Sequence, residues 1–228
     1  MARTAQVFSL GVVTYARALE LQERLVEARK EERIDDTLLL LSHPHVITLG
    51  RATSDQFLRY PRRELEARGY PVMAAGRGGE ITYHGPGQLI AYPLLKLEQE
   101  ERDLHRYLRN LEEVGIRILD DLGVAAGRVK GRTGVWVDNE KVAAIGVRAR
   151  SWVTFHGMAV NRTRDLKGFD YIVPCGISDA EVTSLEHLLG RVVEQSTLEQ
   201  LFVKRFADVF HREVEFKDES ELSEFLGR

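Results

Sequence analysis

Three apolar runs in the middle of the chain, residues 134–137, 141–148 and 151–160, follow one another with only short polar turns between them. Segments joined so closely leave no room for a crossover helix, so they read as antiparallel strands. The first two close over the turn Asp138-Asn139-Glu140 as a hairpin. Further strands are predicted at residues 7–10, 37–41 and 46–49, and again at 72–75, 81–83 and 89–95 as one sheet-like region, with a last one at 214–216. Helical spacing of Ala18, Leu21, Leu25 and Val26 marks a helix over residues 14–32. Pro61 opens a short helix to residue 67. The clearest helix covers residues 103–122, with Leu104, Leu108, Leu111, Ile116, Ile118 and Leu119 as an apolar stripe and Gly123 as its stop. Ser196-Thr197 followed by Glu199 predicts the cap of a helix running to about residue 210. Strands outnumber helices and no regular strand–helix alternation appears. The expected fold class is therefore α+β, a mixed and largely antiparallel sheet flanked by helices, with residues 1–228 as a single domain.

A formal net charge of −3 argues against a protein that grips phosphate backbones, so nucleic acid is not an expected partner. No apolar stretch reaches the roughly 20 residues that span a bilayer, and the first ten residues lack a signal-peptide apolar core, so a cytoplasmic protein without a membrane partner is expected. A single cysteine, Cys175, excludes an intrachain disulfide and a multi-cysteine zinc site.

Four segments carry candidate chemistry. The stretch Arg77-Gly78-Gly79-Glu80-Ile81-Thr82-Tyr83-His84-Gly85-Pro86-Gly87-Gln88 sets four glycines among polar and aromatic groups between two strands. It is either a tight sheet corner or a loop whose backbone amides and close approach shape a narrow slot. It lacks the Lys-Ser/Thr ending of a phosphate loop, so a nucleotide is not indicated. Cys175, in Val173-Pro174-Cys175-Gly176, is either a small buried hydrophobe or a nucleophile. A thiol of ordinary pKa is only about 3% thiolate at pH 7, so a nucleophile needs a base or a cation beside it. Lys141, leading into Val142-Ala143-Ala144-Ile145-Gly146, is either a solvated strand-end lysine or a desolvated one able to act as base or cation. His43, His45, His84 and His156 fall at strand ends. His43-Pro44-His45 lacks further ligands at a recognised spacing, so no metal is expected, and His84 suits a polar pocket.

Taken in order, His43-Pro44-His45-Val46-Ile47-Thr48-Leu49-Gly50, the glycine-rich stretch, Gly131-Arg132-Thr133-Gly134-Val135-Trp136-Val137, Lys141-Val142-Ala143-Ala144-Ile145-Gly146, Thr154-Phe155-His156-Gly157-Met158-Ala159-Val160-Asn161 and Pro174-Cys175-Gly176 resemble the lipoyl(octanoyl) transferase family over most of residues 38–185. The resemblance implies a fold similar to biotin and lipoate ligases with a deep acyl slot. It implies Cys175 as the acyl-thioester nucleophile and Lys141 as the residue that lowers its pKa or takes its proton. Arg77, Gly78, Gly79, Glu80, Ile81, Thr82, Tyr83 and His84, with Ala144, Ile145, Gly146, Gly157, Met158 and Ala159, would bind substrate. The implied donor is octanoyl-acyl carrier protein. The implied acceptors are lipoyl domains of 2-oxoacid dehydrogenase complexes and the glycine cleavage H protein. Exchanging thioesters and then forming an amide needs no ATP, so no cofactor is expected. The rival readings are an ATP-dependent lipoate or biotin ligase, a binding module without turnover, and a cysteine amidase releasing free acid. Arg51, Arg59, Arg62, Arg63, Arg148 and Arg150 are candidate docking charges for an acidic carrier.

Overall fold

A computed structural model of the chain describes residues 3–51, 53, 55–173 and 181–225. In chain order the elements are β1 (Arg3–Val12), α1 (Tyr15–Lys30), β2 (Asp36–Ser42), β3 (Val46–Leu49), α2 (Arg62–Ala67), β4 (Val72–Ala74), β5 (Ile81–His84) and β6 (Gln88–Leu94). They continue with α3 (Leu104–Asp121), β7 (Gly127–Val129), β8 (Arg132–Val137), β9 (Glu140–Arg150), β10 (Val153–Asn161), β11 (Glu181–Val182), α4 (Leu185–Leu189), α5 (Gln195–Phe210) and β12 (Arg212–Phe216). Among the described residues the strands make two sheets. The large one runs β12-β1-β2-β6-β10-β9-β8-β7, with β11 added beside β9, and the small one runs β4-β3-β5. Along the path from β2 across to β7 every pair is antiparallel, whereas β11 lies parallel to β9 and β1 parallel to both β2 and β12. The expected fold class holds.

The central strands have no solvent face. All residues of β2, β6 and β10 are buried, and the run Leu38-Leu39-Leu40-Leu41 divides by the pleat. Leu38 and Leu40 join a core with α3 and α5, while Leu39 and Leu41 join another with α1. A sheet sandwiched this way reads as a continuous apolar run instead of an alternating one. Each such leucine contributes about 1.5–3 kcal/mol by leaving water. Asp36 closes the edge of this layer. Its carboxylate accepts from Arg29 Nε at 2.8 Å, Arg212 Nε at 2.9 Å and the Lys96 amide at 2.9 Å, tying α1, β12 and the end of β6 together.

Several expectations shift in detail. The region read as one sheet after residue 72 is two: β4 and β5 pair with β3 in the small sheet, and the chain re-enters the large sheet at β6 after Gly85-Pro86-Gly87. In α3 the stripe holds at Leu111, Ile118 and Leu119, but Leu104 is 37% exposed, because it faces an open cavity instead of the core. The N-cap position of α5 is Glu194, two residues before the expected cap. Glu199 instead accepts hydrogen bonds from Ser9 and Gln195, so tertiary contact replaces the local cap. No helix among the described residues is long and apolar enough to cross a membrane.

Candidate active site

Strands β8 and β9 stay paired only from Glu140 to Ala143, with a register irregularity between Trp136 and Val135, and the other edge of β8 pairs with β7. Beyond that point the edge of β9 faces a cavity of about 620 Å3. The loop at residues 75–80 closes one side of it. Gly78 N–H donates to the Val147 carbonyl at 2.9 Å, Gly50 N–H to the Glu80 carbonyl at 2.8 Å and Arg51 N–H to the Arg77 carbonyl at 2.9 Å. A Cβ on Gly50 would stand 2.2 Å from the Gly79 oxygen, so glycine there is a condition of the close approach. The first turns of α3, through Leu104, His105 and Leu108, and residues 131–133 at the start of β8 form the opposite wall.

The cavity floor is nearly free of side chains. In the β9–β10 register Ala144 stands across from Ala159 and Gly146 from Gly157. The Arg77 side chain lies over Gly146, its guanidinium donating to the Thr48 carbonyl and hydroxyl at 3.0 Å each and to the Gly78 carbonyl at 3.1 Å. Lys141 lines the same cavity, half-buried, with its ammonium 4.7 Å from the Trp136 ring centroid. Arg77, Gly78, Gly79, Glu80, Ile81, Thr82, His84, Ala144, Ile145, Gly146, Gly157, Met158 and Ala159 all line it too. Tyr83 does not: it points behind β5 into the small sheet's core, bonded to His45 at 2.7 Å and packed on Phe169.

Cys175 lies outside the described residues. Both flanks of its segment are anchored. Upstream, Ile172 bridges to Leu58 and Val173 N–H donates to the Phe57 carbonyl at 2.9 Å. Downstream, Val182 pairs with Lys141 itself, and Thr183 N–H donates to the Lys141 carbonyl at 3.0 Å.

Residues outside the expected substrate-binding set complete the cavity, chiefly Tyr15, Tyr92, Leu104, Leu108 and His156. His156 belongs to one of the motifs, but Tyr15 and the two leucines carry ordinary helix-face signals that do not announce a pocket. His43 sits directly behind them. Its Nδ1–H donates to the Val13 carbonyl at 2.6 Å, so Nε2 must accept from the Tyr92 hydroxyl at 2.8 Å. Burial lowers its pKa to about 4, opposed by the Val13 bond. Burial also lowers His156 to about 3, aided by the Arg77 and Arg148 charges. His84 falls well below its ordinary value, again mainly by burial. The expected docking charges are partly spoken for: Arg62 makes a bidentate pair with Asp55 at 2.7 Å, and Arg150 pairs with Glu27 at 3.2 Å and Glu23 at 3.7 Å. Among the described residues no group of three or more His, Cys, Asp or Glu could hold a metal ion.

The profile of the lipoyl protein ligase A/B catalytic domain matches residues 14–207. The chain is 48% identical to the octanoyltransferase of Chloroflexus aurantiacus (strain ATCC 29366 / DSM 635 / J-10-fl), over 91% of this chain and 95% of that one. Two solved structures share its fold. A bi-partite lipoate protein ligase from Thermoplasma acidophilum, studied with its E2 lipoyl domain, superposes with a TM-score of 0.77 at 16% identity, covering 98% of this chain and 90% of that one. A biotin protein ligase from Aquifex aeolicus, in complex with biotin and ATP, does so with a TM-score of 0.56 at 16% identity, covering 91% and 70%. The chain belongs to the lipoyl protein ligase A/B catalytic domain family. Within that family it is an acyltransferase, and its activity is octanoyl transfer in lipoate biosynthesis.

Proposed function

We propose that residues 1–228 act as one catalytic domain in the cytoplasm, taking octanoate from octanoyl-acyl carrier protein onto Cys175 and passing it to a specific lysine of a lipoyl domain. The acceptors are lipoyl domains of 2-oxoacid dehydrogenase complexes and the glycine cleavage H protein. The observation that carries this reading is the pairing of Val182, seven residues after Cys175, with Lys141 on the strand that lines the cavity. The cavity of about 620 Å3, with Ala144 and Ala159 facing each other on its wall, has room for an extended alkyl chain.

In the first half reaction the Cys175 thiolate attacks the carrier thioester carbonyl. The carrier sulfur leaves and takes a proton, and the octanoyl group stays on Cys175. In the second half the acceptor amine attacks the new thioester, an amide forms, the cysteine sulfur leaves, and the amine proton passes to Lys141. When protonated, Lys141 favours the thiolate electrostatically. Thioester exchange is nearly isoenergetic and amide formation is downhill, so neither cofactor nor metal is needed.

Intact mass of the full chain after incubation with octanoyl-carrier protein tests this. A hydroxylamine-labile octanoyl adduct on the wild type, absent from Cys175→Ala and transferred when a lipoyl domain is added without ATP, is the expected result. Octanoylation that survives in Cys175→Ala, or that requires ATP, overturns the covalent route in favour of a ligase.

A further inference from the structure

Helix α3 carries a carboxylate into the core. Glu112 is 1% exposed, on a helix that packs against β8. A buried carboxylate is costly unless it is paired and hydrogen-bonded, so its partners show what it is kept for. Its Oε2 accepts from Arg109 Nη1 at 2.6 Å and from Arg128 Nε at 3.0 Å, whereas Oε1 accepts from the Gly134 N–H at 3.2 Å. The side chains of the two arginines are 57% and 35% exposed and can turn to water. The Gly134 amide cannot, because Gly134 is buried, and a buried N–H needs an acceptor within the protein.

Gly134 stands where the β8–β9 ladder ends, one residue past the last pair, Val135 with Ala143. Glu112 supplies the acceptor that the ladder no longer provides. Between that pair and the next, Trp136 with Lys141, the register slips by one, so β9 carries an extra residue there. A bulge of this kind re-aims the side chains beside it. Here it lays Lys141 against Gly134: a Cβ on Gly134 would stand 3.3 Å from Lys141 Cε, 3.4 Å from its Cδ and 2.7 Å from the Ala143 oxygen. With φ at 137 as well, the position favours glycine. At the tip of the side chain the ammonium lies 4.7 Å from the ring centroid of the buried Trp136. The lysine stem therefore lies on backbone, and that backbone is held by Glu112.

We propose that Glu112 is a positioning residue for Lys141: by holding the Gly134 amide it fixes the surface on which the Lys141 stem lies, and so sets where the ammonium stands in the cavity. This rests on the reading of Lys141 as the group that receives the proton of the acceptor amine. Glu112 is not among the residues that line the cavity, so it acts through Lys141 and not on substrate. A lysine turns freely about its four-carbon stem, and a misplacement of about 1 Å in a reacting group is worth about a hundredfold in rate. A fixed surface beneath the stem removes that freedom.

The test separates reach from charge. Glu112→Gln keeps the reach to Gly134 and loses the charge between the arginines, whereas Glu112→Asp keeps the charge and draws its oxygens back from Gly134. Each variant is loaded with octanoate from octanoyl-carrier protein, checked by intact mass and mixed with excess lipoyl domain in a single turnover, with urea midpoints measured alongside. Glu112→Asp should lower the saturating transfer rate by about tenfold with the half-saturating acceptor concentration unchanged, while Glu112→Gln stays within about threefold of the wild type even where its urea midpoint falls further. In a Lys141→Met background Glu112→Asp should slow transfer no more, since both substitutions act through one group. Glu112→Gln as slow as Glu112→Asp, wild-type transfer in Glu112→Asp, or an equal slowing with and without Lys141 overturns the positioning role and leaves Lys141 in place. Lys141→Met at the wild-type rate overturns the proton acceptor and its support together.

Discussion

Replacing Gly146 by alanine would add one methyl group where the cavity floor is tightest. The new Cβ would stand 2.9 Å from Arg77 Cδ, 3.2 Å from the Gly78 oxygen and 3.4 Å from Arg77 Nη1. Arg77 cannot simply swing aside, since three hydrogen bonds of 3.0–3.1 Å hold its guanidinium and it is 7% exposed. Breaking one of these charge-assisted bonds costs about 1.5–3 kcal/mol. Restricting the unfolded chain at a former glycine returns about 0.4–1 kcal/mol. The net loss is about 1–2 kcal/mol, which at a urea m-value of about 3 kcal/mol/M lowers the midpoint by about 0.3–0.7 M. Gly127→Ala is the matched control, because a Cβ on that strand glycine would meet nothing within 4 Å and its φ is not left-handed. Its midpoint should stay or rise slightly. The octanoyl-transfer KM of Gly146→Ala should rise as Arg77 shifts, and that of Gly127→Ala should not. Equal midpoints for the two variants would refute the tight stacking of Arg77 on Gly146.

Asp36→Asn keeps the shape but removes the charge shared by Arg29 and Arg212, and Arg212 keeps only Glu101 as a carboxylate partner; a loss of about 3 kcal/mol is expected in urea unfolding. Acid should weaken the fold through its buried histidines. Burial lowers His43 to about 4 and His156 to about 3, against about 6.5 when unfolded, so below pH 6.5 the unfolded chain binds protons that the folded chain refuses. Their contribution is complete above pH 6.5 and is lost as pH falls toward 4, by up to about 1.4 kcal/mol per unit per histidine, and His43→Gln should flatten the slope measured by urea melts at stepped pH. Lys141→Met should slow single-turnover transfer to a lipoyl domain by about a hundredfold or more. An unchanged rate there would remove Lys141 from proton transfer.

The strands joined by tight turns were legible because periodicity and turn chemistry are local: β8, β9 and β10 lie within a few residues of their expected bounds. The split into two sheets was not. Apolar runs at residues 72–75, 81–83 and 89–95 look alike in sequence, and only Gly85-Pro86-Gly87 marks the place where the chain leaves one sheet for the other. The glycine-rich loop and the Ala144–Gly146 stretch could be recognised as cavity residues from motif likeness, yet the reason Gly146 and Gly157 must be small, the close approach of Arg77 and Gly78 to the one and of the Ala91 carbonyl to the other, needs the folded chain. Tyr15 and Leu104 stayed hidden because a helix face buried on a sheet and one facing a cavity have the same periodicity. Tyr83, inside the motif, faces away by the alternation of its strand.

The parallel pairing of β1 with β12 joins Arg3 to Arg212, across nearly the whole chain. On the ribosome β12 emerges some two hundred residues after β1, so at synthesis rates of about 5–20 residues per second the outer edge of β1 stays uncovered for about ten seconds or more. An unpaired edge beside a leucine-rich strand invites pairing with another nascent chain. The yield of folded protein in cells should therefore depend on how quickly translation reaches β12, more than on the stability of the finished sheet.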